Sequence, residues 1–126
     1  MHACCVPRIR ASFAEYARST PDHYLSALVY GKVLAQDDPT RAEALLRKSI
    51  ALDPRQAESH FELGILLDSN GRWEEAAAEL KRAIELNPGD PVPHFRLARV
   101  YDRLHKPAEA KFERDLHARL SAASSL

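Results

Sequence analysis

Residues 57–90, AESHFELGILLDSNGRWEEAAAELKRAIELNPGD, hold two helical stretches parted by Asn70-Gly71 and closed by Asn87-Pro88-Gly89. Glycine tolerates left-handed backbone angles and proline cannot continue a helix, so both points read as stops. The spacing predicts helices of about 15 and about 14 residues on either side of Asn70-Gly71. In the second, Trp73, Ala76, Ala77, Leu80, Ala83 and Ile84 recur at three and four, a broad apolar face that has to be covered on two sides. Gly64 lies inside the first helix, where it costs about 1 kcal/mol relative to alanine, so a close helix–helix approach is expected there.

Working outward, a shift of 34 residues lays His60, Phe61, Leu63, Asp68, Glu75, Ala76 and Glu79 on His94, Phe95, Leu97, Asp102, Glu109, Ala110 and Glu113. The same shift backwards lays Ala42, Leu46, Ile50, Leu52 and Pro54 on Ala76, Leu80, Ile84, Leu86 and Pro88. Three copies of one supersecondary unit follow, the outer two degenerate. Further helix starts are expected at Thr20-Pro21, Asp38-Pro39 and Asp90-Pro91, where a side-chain acceptor caps and proline occupies the first helical position. No segment shows the alternation of a strand, so the fold class is all-α.

His60, Leu63-Gly64, Leu67, Gly71, Ala76, Leu80, Ala83 and Pro88 resemble the pattern of the tetratricopeptide repeat (TPR) family. The third copy matches through His94, Leu97-Ala98, Tyr101 and Ala110, then departs at His105, Pro107 and His117; the first matches through Ala42, Leu46 and Asp53-Pro54. Its first helix has two possible registers, with either Val29-Tyr30 or Tyr30-Gly31 in the Leu-Gly position. The resemblance implies a right-handed α-solenoid of antiparallel helical hairpins with about seven helices. The expected organisation is a tail and capping or leftover helix in residues 1–20, repeats at 23–56, 57–90 and 91–120, and a C-terminal tail at 121–126. Ile9, Phe13 and Tyr16/Ala17 form the stripe of the leftover helix. Ala108, Phe112, Leu116 and Leu120 form the stripe expected to pack the last helix, leaving a polar outer face.

Composition limits the function. The chain of 126 residues is 45% apolar and 29% charged, with 18 basic and 18 acidic side chains. No overall field attracts DNA, RNA or an anionic membrane, so neither nucleic acid nor membrane is expected as a partner. Charge is segregated, with eight acidic and three basic residues in 57–90 against four and seven in 91–126. The adjacent Cys4 and Cys5 cannot staple a fold, and with no membrane-length apolar run or signal segment the expected compartment is the cytoplasm.

Phosphate loops, nucleophile elbows and zinc-protease motifs are missing from the sequence, so no enzyme, cofactor or catalytic residue is expected. His60 and His94 are one repeat apart and read as filling the bulky slot of the pattern, and His2, Cys4 and Cys5 are too few for a preformed metal site. The TPR resemblance implies a non-catalytic interaction module that holds a protein or peptide partner in a concave groove lined by the first helix of each repeat. The groove residues are then Glu58, Phe61, Ile65 and Asp68 in the second copy and Val92, Phe95, Arg99, Asp102 and Arg103 in the third. Phe61, Ile65 and Phe95 are apolar anchors on that reading, or core residues packed on neighbouring helices on the other. Arg96, Arg99, Arg103 and Lys106 make a basic stripe suited to a carboxylate, or one consumed by ion pairs such as Glu62 with Arg96. TPR domains that clamp a chaperone's terminal carboxylate use lysine and asparagine where this chain has Ile65 and Arg99, so that partner is not expected. Two rival roles stand beside this one: homodimerisation through the N-terminal helices around residues 8–30, and service as an accessory segment of a larger protein or enzyme.

Overall fold

The structure, a computed structural model, describes residues 23–124. It divides at Arg55/Gln56 into two compact units. The first holds α1 (Tyr24–Leu34) and α2 (Pro39–Leu52); the second holds α3 (Ala57–Ser69), α4 (Trp73–Leu86), α5 (Pro91–Arg103) and α6 (Pro107–Ser124). The described residues are all-α, in six helices without a strand. The helix expected at residues 8–19 and the start at Thr20-Pro21 lie outside the described residues. Two of the expected starts are capped as their chemistry requires: the carboxylate of Asp38 accepts from Arg41 N at 3.2 Å, and that of Asp90 from Val92 N at 3.0 Å.

In the first unit, α1 and α2 pair through a glycine. A β-carbon on Gly31 would lie 3.0 Å from Leu46 Cγ and 3.4 Å from Ala42 O, and one on Gly64 would lie 2.9 Å from Leu80 Cγ and 3.4 Å from Ala76 O. The two glycines therefore do the same job. Tyr30-Gly31 takes the Leu63-Gly64 position, and the register with Val29-Tyr30 there is excluded. The turn between α1 and α2 is one residue shorter, closed by Asp38 N donating to Leu34 O at 2.8 Å. Ser49 Oγ ties the far ends together by donating to Tyr24 O at 2.9 Å.

In the second unit, α3 pairs with α4, α5 with α6, and α5 packs on α4 while touching α3. Leu63, Leu67, Leu80, Leu97 and Val100 are fully buried, and Ala76, Ala83, Ala98 and Ala110 let the backbones close on them. Each leucine contributes about 1.5–3 kcal/mol through burial. Where the facing residue is a leucine, the first helix carries glycine. In the third hairpin Ala98 stands in the glycine's place, and the residue one repeat after Leu80 is the exposed Arg114, which hydrogen-bonds Asp102.

Both hairpin turns of this unit are Schellman caps. Arg72 N donates to Leu67 O and Lys106 N to Tyr101 O, each at 2.9 Å, and the residue before each donor is left-handed. In the first that residue is Gly71 at φ +77°; in the second it is His105 at φ 59°, whose β-carbon makes the conformation cost about 1–2 kcal/mol. Gly89, by contrast, has no positive φ among the described glycines. The helix before it ends because Asn87 leaves the helical region, with φ −145° and ψ 77°, ahead of Pro88.

The stripe expected to pack α6 is a correction. Phe112 is 61% exposed and Ala108 is also exposed, whereas Ala110 is fully buried and Glu113, Leu116 and His117 are half-buried. The helix is rotated so that Ala110, Glu113 and His117 occupy the places of Ala76, Glu79 and Ala83. Two of these three are polar, so a purely apolar periodicity put the exposed Ala108 and Phe112 on the packing side, while Leu116 and Leu120 of the same stripe are half-buried. The helix also continues to Ser124, through the stretch read as a tail, with Ser124 Oγ donating to Leu120 O at 3.0 Å.

Candidate partner-binding surface

The groove residues expected from sequence fall on one face of α3 and one face of α5, as three- and four-residue spacing requires. Glu58 is exposed and Phe61, Ile65 and Asp68 are half-buried on α3; Arg99, Asp102 and Arg103 are exposed on α5. Val92 and Phe95 are 46% and 43% exposed, unusual for large apolar side chains on a surface one repeat long. All nine therefore remain accessible to some degree, and both readings of the phenylalanines hold in part. Phe61 is half-buried, while Phe95 is 43% exposed with its ring 5.3 Å from that of His117 at an interplanar angle of 45°.

A cavity of about 420 Å³ opens where α3 and α5 begin and α4 ends. Ala57, Phe61, Ala83, Val92 and Pro93 make its apolar lining, and Glu58, Glu62, Asn87 and Asp90 its polar one. Glu58, Phe61 and Val92 belong to the expected groove; Ala57, Glu62, Ala83, Asn87, Asp90 and Pro93 were missed. Ala83 carried a legible signal. It stands one repeat before His117, and that exchange leaves space beside Phe61 where the next hairpin has an imidazole against Phe95.

The other end of the surface is tied to itself. Arg103 Nε approaches Asp68 Oδ1 at 3.6 Å, an ion pair from α5 to α3 that lies beyond hydrogen-bond range and leaves that buried oxygen without a hydrogen bond. Asp102 accepts from Arg114. Pairing between α3 and α5 thus engages Arg103 of the basic stripe, and Arg99 remains exposed between the two ends.

His60 and His94 have carboxylate partners that sequence reading did not assign. His60 Nδ1 lies 2.8 Å from Glu79 Oε1, and His94 Nδ1 lies 2.6 Å from Glu113 Oε1, with the histidine side chains 8% and 6% exposed. A carboxylate can only accept, so each Nδ1 carries the hydrogen and donates. Both pairs join the two helices of one hairpin. The self-alignment had already laid His60 on His94 and Glu79 on Glu113, and the recurrence of two polar positions together was the missed signal. No group of three or more histidine, cysteine or acidic residues that could hold a metal occurs among the described residues, and His2, Cys4 and Cys5 lie outside them. No described helix is long and apolar enough to cross a membrane.

Two sequence models, each described as "Tetratricopeptide repeat", match residues 33–91 and 79–112. This chain belongs to the tetratricopeptide repeat family. Among solved structures, MamA MSR-1 is 27% identical with a TM-score of 0.83, over 95% of this chain and 70% of that one. MamA AMB-1 is also 27% identical, with a TM-score of 0.84 over 94% and 71% of the two chains. MamA from Desulfovibrio magneticus RS-1, at 20% identity and a TM-score of 0.85 over 97% and 70%, shares the fold. Comparison with the curated proteins gives no match. The TPR fold is that of a protein-interaction module, and the expected helical architecture is confirmed by these likenesses.

Proposed function

We propose that this TPR chain is a non-catalytic scaffold that binds a segment of a protein partner along the face shared by α3 and α5, with residues 23–56, 57–90 and 91–120 as its three repeats. The observation that carries the reading is the exposure of Val92 and Phe95 beside the half-buried Phe61, which together offer apolar anchors on helices held rigidly by a common interior. Interfaces gather their energy in a few such anchors, with arginine prominent among the rest. Arg99 fits that role. Glu58, Ile65, Asp68, Asp102 and Arg103 complete the surface, Asp68 with Arg103 setting the spacing of the two helices.

The test is affinity capture of partners by the intact chain beside a Phe61→Ala/Phe95→Ala/Arg99→Ala variant of unchanged helical content. Bound partners are expected to weaken by about tenfold or more in the variant. An unchanged set of partners at unchanged yield refutes the assignment.

A further inference from the structure

The arginines of α5 indicate what the partner segment carries. Val92, Arg96, Arg99 and Arg103 follow one another at three- and four-residue spacing along that helix, with Val92 in the lining of the cavity. Arg103 is engaged by Asp68 of α3. Arg99 is exposed and Arg96 half-buried, and among the described residues neither makes a hydrogen bond or an ion pair. The carboxylates nearby are already engaged. Asp102 accepts from Arg114, Glu113 meets His94 at 2.6 Å and Asp115 meets Lys111 at 3.1 Å, while on α3 Glu58 and Glu62 each have a partner within the chain. Glu109, the remaining acid of residues 91–126, stands in the first turn of α6, at the end of α5 remote from the cavity. The middle of the face therefore keeps two positive charges without an opposite one, next to a cavity whose apolar lining includes Phe61, Ala83, Val92 and Pro93.

We propose that the partner segment on this face carries an aspartate or glutamate about three residues from a bulky apolar residue, the apolar side chain entering the cavity and the carboxylate meeting Arg99 with Arg96 beside it. The inference rests on the groove reading and specifies its ligand. Arg99 stands seven residues after Val92, about 10 Å along the helix, and an extended chain covers that distance in about three residues. A guanidinium can donate two parallel hydrogen bonds to one carboxylate, which favours an acid over a neutral acceptor. A lysine at the same place meets like charge and is rejected. A side chain supplies the carboxylate rather than a chain end, because the face continues past Arg99 to Asp102 and Arg103.

The experiment measures binding of short synthetic peptides, blocked at both ends, by fluorescence anisotropy. Each holds one phenylalanine and, three residues before or after it, glutamate, glutamine or lysine. At low salt the better-placed glutamate peptide is expected to bind the intact chain about fivefold more tightly than its glutamine counterpart and about tenfold more tightly than the lysine one, an advantage that shrinks as salt rises. Arg99→Gln is expected to remove most of that advantage, and Arg96→Glu/Arg99→Glu, at unchanged helical content, to invert it. Equal or tighter binding of the lysine peptide, a glutamate advantage untouched by both variants, an equal advantage with glutamate directly beside the phenylalanine, or no binding of any peptide overturns the inference. Binding that ignores the charge but is lost in a Phe61→Ala/Phe95→Ala variant overturns it while leaving the groove reading intact.

Discussion

Truncating Leu80 to alanine is expected to destabilise the second unit by about 3–5 kcal/mol, near the upper end for a buried leucine. Leu80 is fully buried, and its Cγ is the atom that a β-carbon on Gly64 would meet at 2.9 Å. The glycine is thus the complement of the leucine. Gly64→Ala alone gains about 1 kcal/mol of helix propensity but forces a close-packed neighbour to move, which costs about 1–3 kcal/mol, so a net loss is expected. The double variant Gly64→Ala/Leu80→Ala is expected to be more stable than the sum of the two changes by about 1 kcal/mol, because the new methyl enters space the leucine has vacated. Urea denaturation of the four proteins measures this coupling. Strict additivity would mean that the contact does not hold α3 against α4.

Removing one member of a buried histidine–glutamate pair is the second large effect. In Glu79→Ala, His60 keeps an Nδ1 hydrogen in a site almost closed to water and loses its acceptor, at a cost of about 1–3 kcal/mol. Replacing both partners, as in His60→Leu/Glu79→Leu, is expected to recover part of that loss, since the Nδ1 donor is then removed together with its acceptor. The first hairpin already uses an apolar version. Counted from Gly31 and Ala42, the equivalent positions are Ala27, which is buried, and Leu45, which is half-buried. Thermal denaturation of the single and double variants decides the matter. A double variant as unstable as the single one would show that the pair contributes shape rather than satisfied polarity.

The helical hairpins were legible because a 34-residue period and small residues at close contacts are direct consequences of packing, and both survive in linear order. The proline caps at Asp38 and Asp90 were legible for the same local reason. What could not be read depends on geometry across the hairpin. The register of α1 became visible only through the distance from Gly31 to Leu46, since Val29-Tyr30 fits the spacing equally well. The rotation of α6 was misread because Glu113 and His117 are polar residues on an inward face, one paired with His94 and the other tilted against Phe95 with its Nε2 3.4 Å from Ser121 Oγ. His105 hid a left-handed turn, a conformation more readily inferred from glycine at the same place. At the candidate surface, individual groove residues followed from spacing. The cavity was missed although the exchange of Ala83 for His117 one repeat on marked it, because a small residue at a contact reads first as close packing rather than as open space.

The central claim is that the face of α3 and α5, and not the face of the second helix of each hairpin, meets the partner. Site-specific photocrosslinking tests it most directly, with a benzophenone side chain placed at Ile65 in one protein and at the exposed Ala78 of α4 in another. The account predicts a discrete crosslinked partner from position 65 and none from position 78. The same partner captured from 78, with none from 65, would contradict it.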